Sequence, residues 1–364
     1  MKILLINNGK GWSGGQEHLK DLAIELRNNG VEVHFLVRRD TVNETRFAEL
    51  GFTVHLMPYK YGWNAASAFF SLVTIMHRER FDIVSINREH DLALTVLAYR
   101  CAFPFGSPGR LMMSYHLATV RKQFLISSVD AVVCISEHVR GKLLFGNPSV
   151  AAKTTILYYG IVLPPPPDQS KYEAERPRRF LEGVGFPLIG MVGELWKNQE
   201  ELIGIIPVLK EHFPQIKVAL VGPMPDEDHK VKKTARHLGV ESNVICTGLI
   251  PRVKIPEIFY DMDLSVTTHR NEGFGIVHLE SLAAGTPVVA YNEGGFVDIF
   301  KGEQVGVLVN GGSNEFAAAV ISLLKDHEKR NAMGNEGYQL VKRKYSVQAM
   351  GKTYLGFYRN ILSA

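Results

Sequence analysis

A chain of 364 residues with 46% apolar and 21% charged residues is long enough for two packed cores and too apolar for global disorder. Its formal charge of +4 and pI near 8.8 suit anionic ligands, but with no dense Lys/Arg block they fall short of a nucleic-acid footprint. The three cysteines, Cys101, Cys134 and Cys246, lack metal-ligand spacing and read as buried thiols in a reducing compartment.

The amino terminus, MKILLINN, is a short strand running into polar residues, without the apolar length or cleavage site of a signal peptide. No run approaches the ~20 apolar residues that cross a bilayer, so a cytoplasmic protein is expected. From KILLIN onward, β-branched runs alternate with helix-sized intervals: VEVHFLV, TVHLMP, FDIVSIN, RLMMSYH, AVVCIS and TTILYY. This is the pattern of a parallel sheet with helices on both faces.

After the first run comes NNGKGWSGGQEHLKDLA. Gly14 and Gly15 let backbone approach a ligand, and a helix starting near Gln16 offers N–H groups and the positive end of its dipole to an anion. The same glycines read equally well as turn-makers, since the spacing is neither a dinucleotide fingerprint nor a P-loop. Further on, WNAASAFFSLVTIM, from Trp63 to Met76, reads first as a core helix. A weak peripheral membrane contact, aided by His77, Arg78 and Arg80, is the alternative. His116 ends the strand RLMMSYH, where an imidazole is well placed for function, although an ordinary strand-end histidine reads the same.

LPPPPDQSKYEAERPRR interrupts the alternation, because its prolines forbid helix and disfavour a central strand. A domain over residues 1–163 is therefore expected, then a linker over 164–184, then a second domain over 185–345. The alternation restarts with PLIGMVG, KVALVG, NVICTG, LSVTTH, PVVAYN and VGVLV. The fold class is thus α/β, with two doubly wound parallel sheets whose ligand sites lie outside the carboxyl ends of the strands, facing a shared cleft.

In VGELWKNQEELI, Lys197 stands just ahead of a helix and would add a full charge to the dipole's positive end, suiting a diphosphate. A solvated helix-start lysine is the plain alternative. RNEGFGIVHLESLAAG then places Glu272 in a turn and Glu280 about two turns into a helix, roughly 10–12 Å away at a rise of ~1.5 Å per residue. Between them Gly273, Phe274, Gly275 and Ile276 expose backbone N–H donors. Hydroxyls at each carboxylate and negative charge between them describe a nucleotide sugar. Against this stands a helix-capping Glu272 and a surface Glu280. His269 and His278 form no metal-ligand set, and no metal is expected.

NEGFGIVHLESLAAGTPVVAYNEGG closely resembles the donor-site signature of retaining glycosyltransferases of family four, which have the two-domain GT-B fold. SGGQEHLKDLA, SYHLAT, VDAVVCISEHV, VGELWKNQEELI, KVALVG and VICTGLI follow in the family's order, so the likeness spans most of the chain. The resemblance implies that Glu272 contacts the donor sugar, Glu280 the ribose, and Gly275, Ile276 and Gly15 the phosphates, with Lys197 supplying positive charge. Gly14, Ile250, Gly273 and Phe274 complete the implied binding set. His116 would face the reacting sugar or acceptor, making Glu272, His116 and Lys197 the catalytic candidates. The terminal SVQAMGKTYLGFYRNIL, in residues 346–364, resembles the family helix that crosses back to the first domain. A nucleotide diphosphate sugar would be the donor substrate, with no separate cofactor, and a glycan or lipid-linked molecule the acceptor.

Two departures stand out. Glu194 occupies the place of a usual phosphate-binding arginine, so either Lys197 and the helix entrance suffice or Arg270 or Arg252 reaches in, and LYYGIVLPP lacks the usual asparagine–glycine turn. The expected activity is retaining sugar transfer in glycan, polysaccharide or glycolipid synthesis. The alternatives are a nucleotide-sugar epimerase of the same architecture and a non-catalytic nucleotide-sugar-binding protein.

Overall fold

The computed structural model describes residues 1–58, 64–118, 121–168, 171 and 178–363. Each β-branched run forms a strand: β1 Lys2–Asn7, β2 Glu32–Arg38, β3 Thr53–Met57, β4 Ile83–Ile86, β5 Arg110–Tyr115, β6 Ala131–Cys134 and β7 Thr154–Ile156. The second series is β8 Leu188–Val192, β9 Lys217–Val221, β10 Val244–Cys246, β11 Leu264–Thr267, β12 Val288–Tyr291 and β13 Gly306–Val309. The runs are continuous because these strands are buried on both faces, as β4, β6, β11 and β12 are at every position.

The first sheet has the order β3-β2-β1-β4-β5-β6-β7 and the second β10-β9-β8-β11-β12-β13, with every pairing parallel. Both are doubly wound. Strand order therefore reverses between β1 and β4 in one and between β8 and β11 in the other, and the loops leaving those strands diverge to opposite faces, opening a crevice.

The chain divides into two compact units. Unit 1 is Met1–Val162 with Ser346–Ala364, and unit 2 is Leu163–Tyr345. In unit 1 the terminal helix Val347–Ser363 packs on the first helix, Gly14–Asn28. Gly351 permits this, since a Cβ there would sit 2.1 Å from Glu25 Cγ. Met350, Tyr354, Leu355 and Tyr358 join the core built on Ile3, Leu5, Phe35 and Val133.

Several expectations are corrected. The prolines stop the alternation, and among the described residues of the expected linker Lys171 and residues 178–181 are bonded to unit 2. The Lys171 ammonium is buried and donates to the carbonyls of Tyr260 (2.7 Å) and Met262 (2.8 Å) and to Thr286 Oγ1 (2.8 Å). Asp261 accepts the backbone N–H groups of Arg179, Phe180 and Leu181. Residues 169, 170 and 172–177 of the expected linker lie outside the described residues. Cys101 is exposed on its helix, not buried, while Cys134 is buried and Cys246 half-buried. The first helix begins at Gly14, two residues before the expected start, because Ser13 serves as its cap and gives its backbone N–H to Gln16 Oε1 at 3.0 Å.

Trp63 lies outside the described residues. The helix that follows it, Asn64–Glu79, buries Ala68, Leu72 and Met76 and leaves Phe70 outside. Among the described residues no helix is long and apolar enough to cross a membrane.

Candidate active site

In unit 2 the loops leaving β8 and β11 lie at the point of strand reversal, and they carry Lys197 and Glu272. They are stitched together: Thr268 Oγ1 donates to the carbonyl of Asn198 at 2.7 Å, and Trp196 meets His269 edge-on at 5.2 Å. Gly193 has φ +151°, and the stem of Lys197 folds back over it, with Cδ 3.0 Å from where a Cβ would stand. Lys197 Nζ thereby reaches Glu272 Oε2 at 2.6 Å. From behind, the Gly295 N–H donates to the backbone carbonyl of Glu272 at 2.8 Å.

Burial raises the Glu272 carboxyl, but the charge and hydrogen bond of Lys197 outweigh it and hold the pKa below the ordinary 4.5. Glu272 is therefore ionised at neutral pH, half-buried, and aligned by a cation. Its folded pKa is depressed, so the stability it contributes is full above the unfolded value and is lost as pH falls through the folded one.

The helix expected to end at Gly285 runs from Ile276 to Ala283, with Gly275 as its cap at φ +84°. The first-turn amides of Ile276 and Val277 have no acceptor within the helix. Gly273 differs from expectation, because its N–H already donates to Glu272 Oε1 at 3.2 Å. The Phe274 side chain is buried beside Tyr345. Gly275 is required: a Cβ would meet His278 Cδ2 at 2.5 Å and Phe296 Cβ at 3.0 Å. Gly275→Ala is expected to cost at least about 1–2 kcal/mol from the left-handed backbone alone. Urea unfolding would show this as a lower midpoint, and an unchanged midpoint would contradict it.

Glu280 is mostly buried and accepts from Arg252 Nη2 at 2.9 Å. Arg270 is committed elsewhere, bonded to Glu293 at 2.7 Å and lying 3.4 Å over the Tyr291 ring. Glu194 is exposed; its backbone carbonyl accepts the Lys197 N–H at 3.1 Å, while the Lys197 ammonium pairs with Glu272. Ile250 is half-buried against the apolar cluster of Ile258, Phe259 and Met262.

The sequence gives His278 no role beyond its rejection as a metal ligand. It is buried beneath Gly275, edge-on to Phe296 at 4.7 Å, and its Nδ1 has no hydrogen-bond partner. Its place in the glycine motif was legible in the sequence, whereas its burial was not. Burial lowers its pKa to about 4.

Unit 1 holds the other candidates. His116 follows β5, with Nδ1 2.6 Å from the Tyr159 hydroxyl and Nε2 3.4 Å from Asn87 Oδ1. Burial pushes it down to about 4 and pushes the neighbouring His18 well below its ordinary value. Gly14 is exposed. A Cβ at Gly15 would meet Ser13 Oγ at 4.0 Å, an ordinary contact, so packing within unit 1 does not demand glycine there.

These neutral histidines predict a pH effect. Near pH 6.5 the unfolded chain binds a proton at His116 and His278, whereas the folded chain does so only near 4, so stability falls as pH drops through that window. Melting midpoints should decline from pH 7 to 4.5, and a His278→Leu variant should lose part of the slope. A midpoint flat to pH 5 would contradict this. Among the described residues no group of three or more His, Cys, Asp or Glu side chains is arranged to hold a metal ion.

Two doubly wound sheets, the second bearing a cation–carboxylate pair beside a glycine-capped helix at its switch point, define a two-domain α/β protein with a site suited to an anionic, hydroxyl-rich ligand. Residues 12–163 match the family described as Glycosyltransferase Family 4, and residues 175–340 match Glycosyl transferases group 1. The chain belongs to these family-four, group-one glycosyltransferases. It is 24% identical over 336 residues to the capsular polysaccharide biosynthesis glycosyltransferase CapM of Staphylococcus aureus, covering 85% of each chain. It is 22% identical over 299 residues to spore coat protein SA of Bacillus subtilis, covering 78% of this chain and 79% of that one. Its fold is that of Alr3699/HepE of Anabaena, solved in complex with UDP: TM-score 0.81 at 20% identity, over 99% and 100% of the two chains.

Proposed function

We propose that this glycosyltransferase moves a sugar from a nucleotide diphosphate sugar to an acceptor hydroxyl with retention of anomeric configuration. The observation that carries the reading is the 2.6 Å pair of Lys197 and Glu272 beside the helix start at Gly275 and Ile276, at the β8/β11 switch point. Breaking the bond between the sugar and the diphosphate leaves negative charge on phosphate oxygens. Donors already aimed at that charge lower the barrier, because they need no reorganisation during the reaction. Lys197 and the amides of Gly275 and Ile276 are those donors. A bound diphosphate would draw Lys197 toward it, leaving the ionised Glu272 to accept hydrogen bonds from sugar hydroxyls.

Glu280, held by Arg252, would take the ribose hydroxyls. Configuration is retained when the acceptor enters on the face the phosphate leaves, the departing phosphate oxygen taking the acceptor proton. No covalent intermediate is needed, and none of the carboxylates has to attack. The relatives support this reading: HepE is solved with UDP-glucose, and CapM is named for capsular polysaccharide biosynthesis. A carbohydrate or carbohydrate-lipid acceptor follows.

Thermal melting across uridine, guanosine and adenosine diphosphate sugars identifies the donor, since a ligand bound to the native state raises the melting temperature. Proton NMR of the product then reads the new anomeric linkage. Retained configuration in a new glycosidic bond is the expected result. Inversion, or a new nucleotide sugar formed without acceptor, would overturn the proposal.

A further inference from the structure

The polar cluster behind His116 determines which of its nitrogens carries the proton. Asn87 is buried just past β4, and its amide nitrogen donates to the carbonyls of Ser85 (3.0 Å) and Ile6 (3.3 Å). Those two bonds identify the nitrogen side of the amide, so the atom facing His116 Nε2 at 3.4 Å is the oxygen. A carboxamide oxygen only accepts, which places a proton on Nε2. Burial keeps the ring neutral at physiological pH, as its pKa near 4 implies, so that proton is the only one. Nδ1 then presents a lone pair, and the Tyr159 hydroxyl, 2.6 Å away, donates to it.

The surroundings reinforce the arrangement. The His18 ring lies 4.0 Å from the Tyr159 ring and 5.9 Å from His116, and its own burial keeps it neutral. Tyr354, from the terminal helix, touches His18 Nε2 through its hydroxyl at 3.5 Å. Tyr159 belongs to LYYGIVLPP, and its hydroxyl fills the Nδ1 lone pair.

We infer that Tyr159 and Asn87 are positioning residues that hold His116 as the neutral Nε2–H tautomer, so that it serves sugar transfer as a hydrogen-bond donor and not as a base. The lone pair a base would use is occupied. The 3.4 Å bond to Asn87 is long, so the Nε2 proton can be shared with a hydroxyl of the reacting sugar or acceptor. The inference rests on the proposed transfer only for its kinetic half, because the tautomer is a property of the protein without substrate.

The test is long-range proton–nitrogen NMR of the uniformly labelled full chain, with His116 identified by the signals lost in His116→Gln. The wild type is expected to show the Nε2–H pattern with a hydrogen-bonded Nδ1. In Tyr159→Phe the Nδ1 signal should move to its unbonded position, and kcat should fall roughly tenfold, the worth of one hydrogen bond, with KM for the donor changed less than twofold. Tyr354→Phe, which alters only the bond to His18, should leave the His116 pattern intact.

An Nδ1–H pattern in the wild type overturns the tautomer assignment. An unchanged kcat in Tyr159→Phe overturns the positioning role, and an equal effect from Tyr354→Phe reduces it to packing. If the wild type transfers no sugar to any acceptor while the Nε2–H pattern stands, the proposed function fails separately, and the kinetic half of the inference fails with it.

Discussion

Glu272→Gln is expected to lower sugar transfer on the order of 10²-fold at saturating donor, with the melting temperature little changed. The substitution keeps the shape of the side chain and removes its charge. A hydrogen bond to an ionised group is worth about 1.5–3 kcal/mol, which sets the size of the loss. Glu272 is held ionised by Lys197 and supported from behind by the Gly295 amide, so its geometry is fixed before any ligand arrives. Lys197→Met should cost on the order of 10²–10³-fold, the range for removing one preorganised donor to developing charge. Because the two side chains share one contact, the double variant should lose less than the product of the single losses. Steady-state kinetics on all three variants would decide this, and wild-type turnover in Glu272→Gln would remove the residue from the mechanism.

Arg178→Met is expected to destabilise the protein by about 3–5 kcal/mol, the cost of stripping one partner from a buried ion pair. Both side chains are nearly inaccessible, at 3% and 0% exposure for Arg178 and Asp263. Arg178 Nη2 donates to Asp263 Oδ2 at 2.9 Å and to the carbonyl of Gly185 at 3.2 Å, and Nε donates to the carbonyl of Val184 at 3.1 Å. Asp263 in turn accepts the Leu188 amide at 2.7 Å, where β8 begins. The pair therefore ties the segment after the prolines to the starts of β8 and β11, the two strands whose far ends carry Lys197 and Glu272. At about 2–4 °C per kcal/mol for a unit of this size, the melting temperature should drop by roughly 6–20 °C. A drop of under 2 °C by circular dichroism would show that the pair carries little, and replacing both partners by apolar residues should recover much of the loss.

Much of the fold was legible because its signals are local. A parallel strand buried on both faces must be written as a continuous β-branched run, so KILLIN, AVVCIS and KVALVG announce themselves without knowledge of their neighbours. The donor-side motif was legible for the same reason: NEGFGIVHLE keeps a turn, a left-handed glycine and a helix start within a few residues, and each has its own chemical requirement. The docking of Lys171 and Arg178 was not. The local sequence does not name their partners: the carbonyls of Tyr260 and Met262 that Lys171 meets, and the Asp263 carboxylate that Arg178 meets, lie more than eighty positions further along. Cys101 misled in the other direction, because an apolar sequence context does not say which face of a helix a residue occupies.

Glu280 shows the division within one side chain. Its place on the helix after the turn could be read from the sequence, although the helix starts at Ile276 and puts it one turn in instead of two, but its ion pair with Arg252 could not be read. The sequence by itself determined the strands, the helices, the break between the two alternating halves and the chemical character of the Glu272 turn, since all of these depend on contacts within a few residues. Only the tertiary structure decided that Lys197 holds Glu272, that Asn87 and Tyr159 flank His116, and that the proline segment is anchored. The physical reason lies in strand order. Reversal at β8/β11 brings the Lys197 and Glu272 loops together, and parallel pairing sets the ends of β4, β5 and β7 on one side of the first sheet, so residues far apart along the chain meet there.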